Sequence, residues 1–173
     1  MKRISIIGCP GSGKTTFSRE LSQSTGLPLI HLDYIYHDQT FAYQTDKDSW
    51  RARVVSETEK RQWIIDGNYK STFDIRLPKS DTIIFLDYPT YVSIWRAVKR
   101  RVHFHKKVRE DMPPTWKERL SWDFFVFILK FNYSIAPRMR ELLKSYTDKN
   151  VVVLRSPGQA KKYLASYKLP SKI

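Results

Sequence analysis

Residues 3–17 read RISIIGCPGSGKTTF, and how this stretch is read decides the fold. A short Ile-rich run ends at Ile7. Gly8, Gly11 and Gly13 then fall within six positions and are followed at once by Lys14 and Thr15. Glycine permits backbone angles that turn successive N–H groups inward and let the chain approach an anion closely. The amphipathic segment Lys14–Thr25 predicts a helix whose free N–H groups and positive dipole end point to the same place. Gly8, Gly13, Lys14 and Thr15 match G-x-x-x-x-G-K-[ST] in full, between a strand and a helix as the motif requires. The loop from Gly8 through Pro10, Gly11, Ser12 and Gly13 to Thr15 and Thr16 is therefore expected to cradle the phosphates of ATP. Lys14 would reach the β- and γ-phosphates, and the Thr15 hydroxyl would bind Mg2+, an ion that keeps most of its waters. Cys9, in a free position of the loop, reads as a small filler.

Outward from this loop the chain alternates. Apolar runs at Arg3–Ile7, Pro28–Leu32, Trp63–Ile65, Thr82–Leu86 and Val151–Leu154 are rich in Ile, Val and Leu, and most lack in/out alternation. Strands covered on both faces of a parallel sheet read this way. Helical segments are expected at Lys14–Thr25, Asp48–Arg61, Pro89–Phe104, Trp116–Tyr146 and Pro157–Tyr167, with Pro137 breaking the fourth in two. The result is a doubly wound α/β domain of three layers around a five-stranded parallel sheet, spanning residues 1–173. Ser156, Pro157 and Gln159 form a capping box at the last helix. Residues 103–115, HFHKKVREDMPPT, are polar and end in prolines; they read as a small basic lid. The aromatic segment 121–133 reads as core, or as a face that could meet a second subunit.

The single cysteine leaves no internal disulfide and suits a reducing compartment, and no apolar run approaches a bilayer's thickness. A cytoplasmic protein with no membrane partner is expected. The formal charge of +14 would draw polyanions, nucleotides and DNA among them. GTPases are excluded by the lack of N-K-x-D. Helix-turn-helix, zinc and RNA-binding signatures are lacking too.

The stretches WIIDGNY (63–69), FLDYPTYVSIWRAVKRRVH (85–103) and VLRSPGQ (153–159) resemble the adenylate kinases. Taken with GCPGSGKTT, HLDYIY and DMPP, they resemble more closely the DNA topology modulation protein family of short adenylate-kinase-like P-loop proteins. That resemblance implies Mg2+ held through water by Asp66, Arg96 near the adenine, Arg100 on phosphate, and the backbone at Ser156 and Pro157 reading the base. Asp87 ends the fourth strand as a Walker B acid would, and is kept as a second metal candidate behind Asp66. One departure concerns the acceptor. Adenylate kinases carry Pro-Arg after Asp-Gly-Phe, whereas here the run is Asp-Gly-Asn-Tyr-Lys; Lys70 and Arg76 could contact an anion, without the same fork.

Asp33 follows the second strand, where an open α/β sheet borders its ligand crevice. It would orient or deprotonate an attacking hydroxyl, or cap a helix, or both. Residues 96–119 carry nine cations against three acids, a distribution suited to neutralising a triphosphate. Three functions stay open. One is a Mg-ATP-dependent kinase acting on a small nucleotide or hydroxylated metabolite, with Lys14, Asp33, Arg96 and Arg100 as its catalytic residues. The others are a DNA-binding NTPase affecting DNA topology, and a nucleotide-binding switch without efficient turnover.

Overall fold

The computed structural model describes residues 1–37, 46–103 and 122–167. Strands β1 (Arg3–Gly8), β2 (Leu29–His31), β3 (Trp63–Asp66), β4 (Thr82–Leu86) and β5 (Asn150–Leu154) form one sheet in the order β2-β3-β1-β4-β5. Every pairing is parallel. The chain leaves β1 for one side of the sheet and returns for the other, so β1 lies at the topological switch point, where such sheets open a crevice at their carboxyl ends.

Strand residues alternate between two helical layers. Ile4, Ile6, Ile64, Ile84 and Leu86 meet Phe17 and Leu21 of α1 (Lys14–Thr25) and Ala160 and Leu164 of α8 (Pro157–Ala165). On the opposite face Ile7, Ile83 and Phe85 meet α4 (Phe73–Lys79), α5 (Thr90–His103), α6 (Trp122–Lys130) and α7 (Ala136–Lys144). A third cluster joins Trp63 and Ile65 to Leu32 at the start of α2 (Leu32–Tyr36) and to Trp50 and Val54 of α3 (Lys47–Thr58). β1, β3 and β4 are buried on both faces beyond Arg3, as their apolar runs predict. The edge strands differ: β2 is half-buried and β5 is partly exposed.

Several boundaries depart from the sequence expectation. The second strand stops at His31, because Leu32 already opens α2. Asp33 stands in the first turn of that helix and the capping position belongs to His31, so the capping role expected for Asp33 is not realised. Helix α4 was not expected: it is only seven residues long and contains Pro78 in its last turn. Within the fourth helical segment, the break precedes Pro137. Residues Phe131–Ile135 form a π-helical turn, and Pro137 sits in the first turn of α7. A proline ring clashes with the carbonyl four residues back, here Tyr133, and a widened turn relieves that clash. Helix α6 buries Ile128, with Phe131 just beyond its end, yet leaves Trp122, Phe127 and Leu129 exposed, so it is core on one side only. The Ser156 cap is present, its Oγ accepting from Gln159 N–H at 3.2 Å, but the Gln159 side chain accepts from the Arg155 N–H rather than from Ser156, so the expected capping box is shifted by one residue. Past His103, the expected lid lies outside the described residues, as do residues 116–121.

Ile84 is fully buried in β4, next to the central strand. Ile84→Ala should lower unfolding free energy by about 3 kcal/mol, with a shifted denaturant midpoint and an unchanged slope.

Candidate functional site

At the carboxyl end of β1 the chain turns through left-handed backbone at Gly11 (φ 81°) and Gly13 (φ 87°) before α1 begins. Gly11 is packed against α5: a Cβ there would lie 2.4 Å from the Ser93 carbonyl oxygen. Pro10, Ser12 and Thr15 complete the turn, with Thr16 exposed beyond it. Lys14 folds back over the loop, its Nζ donating to the carbonyls of Gly8 (3.0 Å) and Cys9 (3.2 Å). Arg96 comes across from α5, and its Nη1 donates to the Ser12 carbonyl at 2.7 Å while the guanidinium lies over the Tyr88 ring. Its charge thus stands at the phosphate loop. Burial of Cys9 pushes its thiol pKa up, in keeping with a filler. The Arg100 side chain lies outside the described residues.

Three carboxylates occupy the carboxyl edge of the sheet, each engaged differently. Asp66, at the end of β3 and buried, accepts from Ser18 Oγ of α1 (3.3 Å) and meets His31 Nδ1 (3.2 Å). Asp87, just beyond β4, is gripped by both sides of the Arg140 guanidinium, at 2.8 and 2.9 Å. Asp33 lies near the Tyr69 hydroxyl; burial first, then Asp33, raises the Tyr69 pKa and keeps it a proton donor. Tyr69 packs against Tyr36 and Trp50, so Asp33 borders an aromatic wall. His37 ends α2, with its pKa lowered by burial against the pull of Asp33. Ser156 and Pro157 open α8 directly after β5, on the same edge of the sheet.

Asn68 had no sequence signal, and Arg76, considered above as an anion contact, lies buried instead. Asn68 is bonded to both main-chain groups of Gly8, accepting from its N–H at 3.0 Å and donating to its carbonyl. Arg76 of α4 is wholly buried; its Nη2 donates to the Gly67 carbonyl at 2.5 Å, and Nε and Nη1 find no partner among the described residues. Burial pushes its guanidinium down to about 9, while Asp66 pulls it back up. Lys70, the other cation considered for the acceptor, is exposed.

The donor set fits Mg-ATP. A cup of left-handed glycines, a lysine and an arginine suit a polyphosphate. Among the described residues no cluster of three or more His, Cys, Asp or Glu could hold a metal. A hydroxyl at Thr15 with a nearby carboxylate is what largely hydrated Mg2+ needs, the phosphates supplying the rest.

The fold is that of the P-loop kinases, a three-layer α/β architecture. Shikimate kinase from Acinetobacter baumannii in complex with shikimate superposes with a TM-score of 0.62 at 14% identity, over 96% of this chain and 90% of that one. Deoxyadenosine kinase from M. mycoides with bound dCTP gives 0.54 at 15% identity, over 95% and 97% of the two chains. A gluconokinase from Sinorhizobium meliloti 1021 gives 0.53 at 17%, over 95% and 92%. No protein-family model matches the sequence, and no curated protein matches it significantly. No helix among the described residues is long and apolar enough to cross a membrane.

Gly11 and Gly26 allow a controlled comparison, since Gly26 (φ 70°) has open space where a Cβ would go. Gly26→Ala should cost about 1 kcal/mol of stability and leave nucleotide affinity alone. Gly11→Ala should cost more and abolish nucleotide binding, as read by calorimetry with Mg-ATP.

If Asp87 serves only to anchor α7, Asp87→Asn and Arg140→Gln should lower the melting temperature alike and leave the Mg2+ dependence of ADP binding unchanged. A metal ligand would show that dependence altered in the first variant alone.

Proposed function

We propose that the protein is a phosphotransferase that moves the γ-phosphoryl group of Mg-ATP to a hydroxyl of a small molecule. The observation that carries this reading is the arrangement along one sheet edge. A phosphate cup with Lys14 and Arg96 closes on one side of the switch point, and Asp33 with its aromatic wall stands beyond β3 on the other. The likeness of the fold to kinases of shikimate, deoxyadenosine and gluconate supports it.

In this reading Lys14 leaves the carbonyls it now holds and binds the β- and γ-phosphates. Arg96 releases Ser12 and balances charge on the transferring group, with Arg100 one helical turn further on. Asp33 accepts the proton of the attacking hydroxyl, and Tyr69 fixes the carboxylate's direction. Thr15 and Asp66 would hold hydrated Mg2+, which would neutralise part of the phosphate charge. Asp87, with both oxygens on Arg140, anchors α7. Ser156 and Pro157 flank the base. The acceptor is a hydroxylated metabolite or nucleoside small enough to reach Asp33. Binding of DNA through the basic surface is not favoured, since the solved structures of like fold are small-molecule kinases.

The test is ADP formation from Mg-ATP with a panel of nucleosides, polyols and hydroxy acids. Acceptor-dependent ADP is expected. It should be lost in Lys14→Ala and reduced about 10²–10⁴-fold in Asp33→Asn, with ATP affinity kept in the latter. ADP formation that depends on DNA and on no small acceptor would overturn the proposal.

A further inference from the structure

Residues 87–90 lead from β4 into α5, and two side chains from the α6–α7 side hold them. Arg140 of α7 grips Asp87 with both sides of its guanidinium. Asn132, in the π-helical turn between α6 and α7, spends both hydrogens of its Nδ2 on this loop. It donates to the Thr90 hydroxyl oxygen at 2.6 Å and to the Tyr88 carbonyl at 3.3 Å. Asn132 and Arg140 stand eight positions apart in the chain. At about 100° per residue, eight steps of regular α-helix would leave them about 80° apart. The π-helical turn takes up one residue more than an α turn, which brings the pair to within about 20° of one stripe. The widened turn lets both side chains reach the same short loop.

That loop carries the platform on which Arg96 stands. Tyr88 is buried, and the Arg96 guanidinium lies over its ring, 5.6 Å from the centroid. From there Arg96 Nη1 donates to the Ser12 carbonyl at 2.7 Å. Helix α5 begins at Thr90, and the Val92 N–H donates back to the Pro89 carbonyl at 3.0 Å. Ser93, in the same first turn, presses on Gly11. The places of Tyr88 and Thr90 therefore govern two contacts of α5 with the phosphate loop, Ser93 against Gly11 and Arg96 on Ser12. Asn132 is bonded to both, the residue beneath the guanidinium and the residue that opens its helix. Arg140 is bonded to Asp87, one step earlier.

We propose that Asn132 is a positioning residue for Arg96: by tying Tyr88 and Thr90 to the π-helical turn, it fixes where α5 starts and where the guanidinium rests, and so sets nucleotide affinity. A long arginine side chain has many rotamers, and its aim depends on the backbone it springs from and the surface its plane lies on. Without Asn132 the loop stays anchored at Asp87, while the Tyr88 platform and the start of α5 lose their tie to the α6–α7 side. The cost reaches the ligand through Arg96, so it vanishes where Arg96 is absent. This inference rests on the Mg-ATP reading of the loop, in which Arg96 meets phosphate, and not on the identity of the acceptor.

The experiment is a double-variant cycle read by calorimetric titration of the full chain with Mg-ATP. Asn132→Ala should weaken binding about fivefold. In an Arg96→Ala background the same substitution should change affinity less than twofold, because the group it positions is gone. That dependence on Arg96 is what a merely structural asparagine would not produce. Asn132→Leu, close in volume and without a donor, should behave in the same way, and it decides if Asn132→Ala does not fold. A wild-type protein that binds Mg-ATP, with Asn132 variants that melt earlier yet bind within twofold of it, would overturn the proposal and leave the ATP reading intact. Equal weakening with and without Arg96, or an Arg96→Ala variant that binds as tightly as wild type, would overturn it as well. Failure of the wild-type protein to bind Mg-ATP would overturn both readings.

Discussion

A loop that offers its amides to an anion must tie up its carbonyls elsewhere, and this constraint organises the molecule around residues 8–15. The Gly8 carbonyl is held by Asn68 and Lys14, that of Cys9 by Ser12 and Lys14, that of Ser12 by Arg96, and that of Gly13 by the Phe17 amide in α1. Two of these partners come from distant chain, one from the loop after β3 and one from α5. Lys14 and Arg96 are cationic donors to these carbonyls, while Asn68, Ser12 and Phe17 are neutral ones. In the proposed function a polyphosphate would compete for the two cations, since charge-assisted bonds to phosphate are stronger than those to a peptide carbonyl.

Electrostatics at the same edge follow from where each carboxylate finds a partner. Asp87 is neutralised by a bidentate fork that joins β4 to α7. Asp66 is buried, with a hydroxyl and an imidazole as neighbours, and it helps keep the enclosed Arg76 charged at neutral pH. A buried cation with only one hydrogen bond would be expensive alone; the nearby carboxylate offsets part of that cost. Asp33 instead lies near the hydroxyl of Tyr69, a neutral group. The three carboxylates thus stand in three different environments, to which the proposed reaction assigns three different roles.

Much of this was legible in the sequence. The glycine turn before α1, the five strands, their parallel arrangement and the Ser156 cap rest on local pattern, and local pattern survives folding. Helix α4 was not legible, because seven residues give fewer than two turns of periodicity and Pro78 speaks against a helix. The partial exposure of β5 was hidden because an edge strand of Val and Leu reads like a central one. Asn68, Arg140 and the burial of Arg76 were beyond reach for a different reason. Their partners lie 60, 53 and 9 residues away and are main-chain or single-acid groups, so no spacing rule marks them. Long-range side-chain contacts carry much of the site's geometry and leave little trace in local pattern.

Four consecutive residues, from the last of β3 onward, show how closely the two sides of the sheet edge are joined. Asp66 reaches α1 and β2, the Gly67 carbonyl rests on Arg76, Asn68 holds Gly8 of the glycine loop, and Tyr69 lies near Asp33. Gly67 has no room for a side chain, since a Cβ would lie 2.8 Å from the Leu32 Cβ at the start of α2. The segment is therefore pressed against the acceptor-side helix and bonded to the donor-side loop at the same time. A displacement of one residue along it would misalign Asn68 and Tyr69 together. The proposed phosphoryl transfer would require donor and acceptor oxygens to meet in line, and a single short segment that touches both sides would favour that alignment more than two independent loops.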